Sequence, residues 1–208
     1  MKILYCDIDS TINNHWKRIK KWTKPFPGGK IDFRAFTRKE MLLDEPLENA
    51  RYSLNKLSKL YSINFLSARS SMGYNSYRFI PENLYNLPGG NYFFIMNIYS
   101  STTLSNIFNK SYGRNTYAYK ITEEWLKLNN FNYNSLNLVD KAKDKISFLK
   151  STSCDLFIDD MSWGQNFGGS YVKLYDEEIK EIKRMDFNFE LFNRKYNNWQ
   201  HIVRKYLQ

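Results

Sequence analysis

Two cysteines, two histidines and no long apolar run set the first limits on this 208-residue chain. Cys6 and Cys154 each sit in an apolar stretch that reads as a buried strand or its approach, so no stabilising disulfide is expected. With only His15 and His201 and no paired-cysteine spacing, an ordinary nitrogen-and-sulfur zinc site cannot be assembled. Oxygen ligands are plentiful, so any metal should be hard and magnesium-like. No run approaches the roughly 18 to 20 residues that cross a bilayer. Charged Asp7 and Asp9 interrupt the first apolar stretch too early for a signal peptide, which leads to the expectation of a cytoplasmic protein. Acids are in the minority, 21 against 31 basic residues, for a net charge of +10.

The composition is that of a packed globular protein, 42% hydrophobic and 17% aromatic, with length for one full-sized core and a small inserted subdomain. The positive surplus is uneven. Nine basic residues (Lys17, Arg18, Lys20, Lys21, Lys24, Lys30, Arg34, Arg38, Lys39) and one acid, Asp32, lie between Asn14 and Lys39, a local excess of +8. Such a run suits an anionic partner, although many charge runs are only a solvated face.

Short apolar runs at 2–6, 63–66, 136–139, 155–158 and 171–175 read as buried strands, and the run at 91–99 is either another strand or half of a hairpin. Between them lie helical patterns. Leu47, Ala50, Leu54, Leu57 and Leu60 mark one, Thr122 caps a second, and Ile146 and Leu149 mark a third. Strands alternating with helices predict an α/β fold with a mostly parallel, three-layer, Rossmann-like sheet, whose ligands bind at the strands' carboxyl ends. Two segments interrupt the alternation. We expect a core formed by 1–12 and 47–208, an inserted basic and aromatic cap at 13–46, and a second insertion or elaborated core segment at 70–120.

The first strand ends in Asp7-Ile8-Asp9, which places two carboxylates near one pocket, with Thr11 directly after. Asp159 and Asp160 close another strand. Like charges gathered this way call for a cation, and carboxylate oxygens suit magnesium. Phosphoryl transfer needs a placed nucleophile, a metal and positive groups to balance charge, and this chain offers each. Asp7 would attack phosphorus to give an aspartyl-phosphate, and Asp9 would protonate the leaving oxygen and then activate water. Ser67, closing the second strand, could donate to a phosphate oxygen. One of Lys141, Lys143 or Lys145 could neutralise charge.

DIDST at 7–11, FLSAR at 65–69, KISFLK at 145–150 and LFIDDM at 156–161 resemble, in order, the four motifs of the haloacid dehalogenase superfamily. With 45–69, 122–131 and the terminal NNWQHIVRKYL, the chain is similar to the branch of 5'-nucleotidase and 5'(3')-deoxyribonucleotidase-like phosphatases. Ser10 stands where those members commonly have glycine. The resemblance implies magnesium held by Asp7, by the backbone carbonyl of Asp9 and by Asp159, with Asp160 supporting it through water. It implies Asp7 as nucleophile, Asp9 as acid and base, Ser67 as the hydroxyl of the second motif, and Lys145 as the lysine of the third, with Lys143 the alternate.

Three functions fit: a phosphatase on nucleoside monophosphates, which the resemblance favours, a phosphatase on nucleic-acid ends, or a catalytically silent module that binds nucleic acid or protein. For substrate binding we expect Arg69 and the cap residues Lys17, Arg18, Lys20, Lys21 and Trp16. Trp16, Trp22, Phe26, Phe33 and Phe36 could stack on a base, although at least half should build the cap's own core. Trp125 and Trp199 read as core.

Overall fold

The computed structural model describes residues 1–26, 30–69 and 117–207. Five strands, β1 (Lys2–Cys6), β4 (Tyr61–Ala68), β5 (Ser135–Val139), β6 (Leu156–Asp159) and β7 (Asn188–Leu191), form one sheet in the order β5-β4-β1-β6-β7. Every neighbouring pair is parallel. Parallel strands need crossovers, and helices supply them on both faces.

Side-chain alternation explains the three layers. Leu4, Cys6, Ile63, Phe65, Leu156 and Ile158 point to one face, where they meet helices α3 (Ala50–Leu57), α4 (Tyr117–Leu128) and α7 (Trp199–Tyr206) through Leu54, Trp125 and Trp199. Tyr5, Leu66 and Phe157 point to the other, onto α5 (Ala142–Lys150) and α6 (Asp176–Ile182) through Ile146, Leu149, Ile179 and Ile182. Each large apolar side chain buried this way is worth about 1.5–3 kcal/mol. The fold is the expected α/β parallel sheet. Trp125 and Trp199 are core, each only 1% exposed, and the indoles donate to the carbonyls of Asp44 and Thr11. Both cysteines are free.

Residues 13–46 leave the sheet just after β1. They form α1 (His15–Lys21), a two-stranded ribbon of β2 (Thr23–Lys24) and β3 (Lys30–Ile31), a 3-10 turn (Phe33–Phe36) and α2 (Arg38–Leu42). Trp16, Ile19 and Ala35 make a small separate core with Trp22, Phe26, Ile31 and Phe36. It is seated on the main body by Trp163, whose ring lies 5.3 Å from that of Trp16. Gly164 makes this approach possible, because a Cβ there would stand 2.6 Å from the Trp16 ring.

Several local expectations need correction. The run 171–175 is not a sheet strand. Tyr171 and Leu174 make only isolated bridges to Gln165 and Ser162, within a loop folded back after β6. The sheet's edge is instead β7, whose NFEL pattern alternates too weakly to announce itself. Thr122 does not cap a helix: it lies inside α4, and its hydroxyl donates to the Ala118 carbonyl one turn back. The run 91–99 and most of the segment 70–120 lie outside the described residues.

Candidate active site at the carboxyl edge of the sheet

The register of the sheet assembles the site. Cys6 sits beside Ile158 and Phe65, so the residues that follow β1, β4 and β6 emerge together at one edge. The Asp7 backbone N–H donates to the Ile158 carbonyl at 2.9 Å, tying the DIDST turn to the strand that ends in Asp159. That turn is tight. Ser10 has φ of 63°, a left-handed conformation that glycine takes without strain and a serine tolerates only when its surroundings hold it. Its Oγ meets His15 Nδ1 at 3.1 Å, and its N–H donates to Asn13 Oδ1 at 3.2 Å.

Asp7, Asp159 and Asp160 are all buried, and each offers a carboxylate oxygen within 4.8 Å of the others. Lys145, on the first turns of α5, reaches between them: Nζ donates to Asp7 Oδ1 at 2.8 Å and to Asp159 Oδ2 at 2.7 Å. Lys141 and Lys143 make no such contact and stand exposed at the rim. The Thr11 hydroxyl lies 3.5 Å from Asp7 and accepts from the Asp160 backbone N–H at 3.2 Å, bridging two of the acidic turns. Asp160 itself is oriented by Ser162 Oγ at 2.6 Å and Gln165 Nε2 at 3.3 Å.

Burial is the largest influence on Asp7. Assisted by Asp159 and Asp9, it outweighs the attraction of Lys145 and pushes the carboxyl up to about 7. Asp160 is raised well above the usual range, also by burial and then by Asp159 and Asp7. For Lys145 burial works in the other direction, and Asp159 and Asp7 overcome it, so the ammonium is held well above its ordinary value. Three buried carboxylates against one lysine are short of positive charge. An all-oxygen set of this size fits a hard divalent cation such as magnesium, which would return Asp7 to its ionised form.

Asp9 stands apart from that trio. Its carboxylate is gripped by Arg69, with Nε to Oδ2 and Nη2 to Oδ1 both at 2.8 Å, and it accepts from Asn13 Nδ2 at 3.1 Å. Burial would raise its pKa, but the Arg69 guanidinium, with His15 and Arg18 nearby, holds it well below the carboxylate range. Arg69 in turn donates to the Thr122 hydroxyl at 2.6 Å. Arg69, expected to bind substrate, is thus placed with its fork on Asp9. The Asp9 carboxylate is not part of the oxygen cluster formed by Asp7, Asp159 and Asp160.

A cavity of about 510 Å³ opens above these groups, between the carboxyl edge and residues 13–46. Ser67 lines it, and its Oγ is buried and has no hydrogen-bond partner among the described residues. A buried hydroxyl left unmatched costs on the order of 1–3 kcal/mol, a cost that an incoming acceptor oxygen removes. Ile19, Ile31, Phe36 and Trp163 form an apolar wall.

The cap cations fall differently from expectation. Arg18 borders the cavity, but its side chain is buried, donates to Asp44 at 2.9 Å and 3.0 Å, and also caps the Ala35 carbonyl. Trp16 is 4% exposed and packed in the cap's core, so it has no free face for a base. Lys17 pairs with Glu45 and Lys21 with Glu40, at 3.0 and 2.8 Å. Lys20 is exposed and lies over the Phe26 ring. Acids just beyond the basic run neutralise much of its surplus.

His15, Asn13, Asp44 and Gln165 were not singled out from the sequence. Only His15 carried a usable signal, as one of two histidines placed six residues after Asp9. Burial lowers it to about 4, so it is a neutral imidazole at pH 7.

No family model matches the chain, and neither does any curated protein. A solved haloacid dehalogenase-like family hydrolase from Streptococcus pneumoniae is similar over the whole of this chain and 99% of its own, at 11% identity and a TM-score of 0.42. A likeness that remote says nothing of the reaction, which must be read from the side chains.

Proposed function

We propose that the chain is a phosphomonoester hydrolase of the haloacid dehalogenase type, dependent on magnesium and acting on a phosphorylated nucleoside. The observation that carries this is Lys145 bridging Asp7 and Asp159, with the unmatched hydroxyl of Ser67 in the cavity beside them. Asp7, Asp159 and Asp160 would hold the metal, which when bound supplies charge to offset the phosphoryl oxygens.

An Asp7 oxygen attacks phosphorus, the bond to the leaving oxygen breaks, and Asp9 donates a proton to that oxygen. Water then gives a proton to Asp9 and attacks phosphorus, the bond to Asp7 breaks, and inorganic phosphate leaves. Lys145 and Ser67 hold the phosphoryl oxygens throughout. The Arg69 pair keeps Asp9 ionised, which suits the second half, in which it takes a proton. For the first half, Asp9 must loosen from Arg69 and carry a proton. Residues 13–46 act as a cap whose apolar wall, Ile19, Ile31 and Phe36, receives the nucleoside.

Phosphate release from nucleotides with magnesium, and none with chelator, tests the reading. Asp7→Asn should abolish it with the fold retained. A loss under about tenfold would rule out Asp7 as nucleophile, since a covalent nucleophile supplies several kcal/mol of the barrier.

A further inference from the structure

We infer that the substrate carries a second phosphate besides the one hydrolysed, seated on Lys141 and Lys143 at the rim of the cavity; this rests on the phosphatase reading above. The sequence offers three lysines where the chemistry asks for one, and the structure separates their tasks. Lys145 is buried and donates to Asp7 and Asp159, which leaves one of its three N–H donors for the phosphoryl group that is transferred. Lys141 and Lys143 line the same cavity, are exposed, and form no ion pair among the described residues. Asp140 and Glu178 share that rim, so the two lysines do not stand in a purely positive surround, although no ion pair joins either acid to them among the described residues.

The place is suited to an anion for a further reason. Lys141 and Lys143 flank the start of the nine-residue helix α5, where the Asp144 carboxylate accepts from the Lys141 N–H and the Asp144 N–H donates to the Lys141 carbonyl, which leaves the Ala142 and Lys143 N–H groups without a partner within the helix, at its positive dipole end. The ligand that fills the cavity is marked independently by Ser67, which lines it, is 1% exposed and has a hydroxyl with no hydrogen-bond partner among the described residues. A phosphate on Ser67 and Lys145, a nucleoside against Ile19, Ile31 and Phe36, and a second phosphate at the rim would satisfy all three regions. The shared chemistry is a nucleoside phosphorylated at two positions. A free bisphosphate and the phosphorylated end of a polynucleotide, whose next phosphodiester is the second anion, both supply it.

The experiment compares a nucleoside monophosphate, a nucleoside 3',5'-bisphosphate and a short end-phosphorylated oligonucleotide, for phosphate release by the wild type and for binding to Asp7→Asn. A two-anion substrate should exceed the monophosphate by about tenfold or more in kcat/KM and in affinity, as charge-assisted contacts to a second phosphate would provide. In the Lys141→Met/Lys143→Met double variant that ratio should fall to within about twofold, with Tm unchanged because both side chains are exposed. Preference for the oligonucleotide over the bisphosphate, with binding that weakens steeply as salt rises, would identify the strand end as the source. Equal handling of one and two phosphates overturns the inference, as does a preference that the double variant retains. A binding preference that depends on the lysines, without phosphate release from any compound, would uphold this site and remove the hydrolase reading instead.

Discussion

Replacing Lys145 with methionine isolates the electrostatics of the site. The side chain stays unbranched, becomes one atom shorter and loses its charge, leaving Asp7, Asp159 and Asp160 buried together. At 2.8 and 2.7 Å, each contact of the ammonium contributes on the order of 6 kcal/mol of attraction at an effective dielectric of 20, most of it offset by desolvation. Removing one partner from such a cluster costs about 3–5 kcal/mol when the remaining charge cannot be neutralised. Here a metal can neutralise it. Lys145→Met should therefore lower Tm more in chelator than in millimolar magnesium. The folded-state pKa of Lys145 is raised, so its stabilising charge is present throughout the range below its ordinary value near 10.5 and would be lost only above that. The Tm difference should thus persist from pH 6 to 9. Turnover should fall about 10²- to 10³-fold, the usual result of deleting one preorganised donor to the transferring group. Lys150→Met, on the same helix but paired with Glu181 at the surface, is the control. Activity within tenfold of wild type for Lys145→Met, or a Tm loss independent of magnesium, would refute the assignment.

Because burial pushes Asp7 up to about 7 and a cation requires its ionised form, magnesium affinity should weaken by up to tenfold per pH unit below about pH 7; calorimetric titration without substrate measures this, and a flat profile counts against Asp7 as ligand. Arg69→Gln should free Asp9, so the limb of the pH–rate profile governed by Asp9 should move to higher pH; an unmoved limb with merely lowered rates would mean that Arg69 serves packing alone. Arg18→Met should destabilise by about 3–5 kcal/mol by stranding the buried Asp44, visible in denaturant unfolding, whereas Lys20→Met should change stability by under about 0.5 kcal/mol. Gly164→Ala should displace the Trp16 ring and cost about 1–3 kcal/mol, seen as a shift in tryptophan fluorescence together with lowered Tm; an unchanged spectrum would show that the cap does not rest on this contact.

The amino-acid order alone determined the elements that carry strong local signals. KILYC, INFL and LNLV are apolar runs too short for helices and bounded by polar turns, and strands with both faces covered leave that mark. The acidic pairs at the ends of two such runs located the carboxyl edge before any pairing was known. What remained hidden depended on distance through space. Arg18 and Asp44 are 26 residues apart, and a basic run cannot reveal that its most buried member faces an acid beyond it. Arg69 lies 60 residues from Asp9, and only the β1–β4 register brings its guanidinium onto that carboxylate. Among Lys141, Lys143 and Lys145, periodicity left the choice open, because alternate positions at a helix start differ only in the direction they face. The packing of α5 through Ile146 and Leu149 settled that direction, sending Lys145 inward between two aspartates and leaving the other two lysines at the rim.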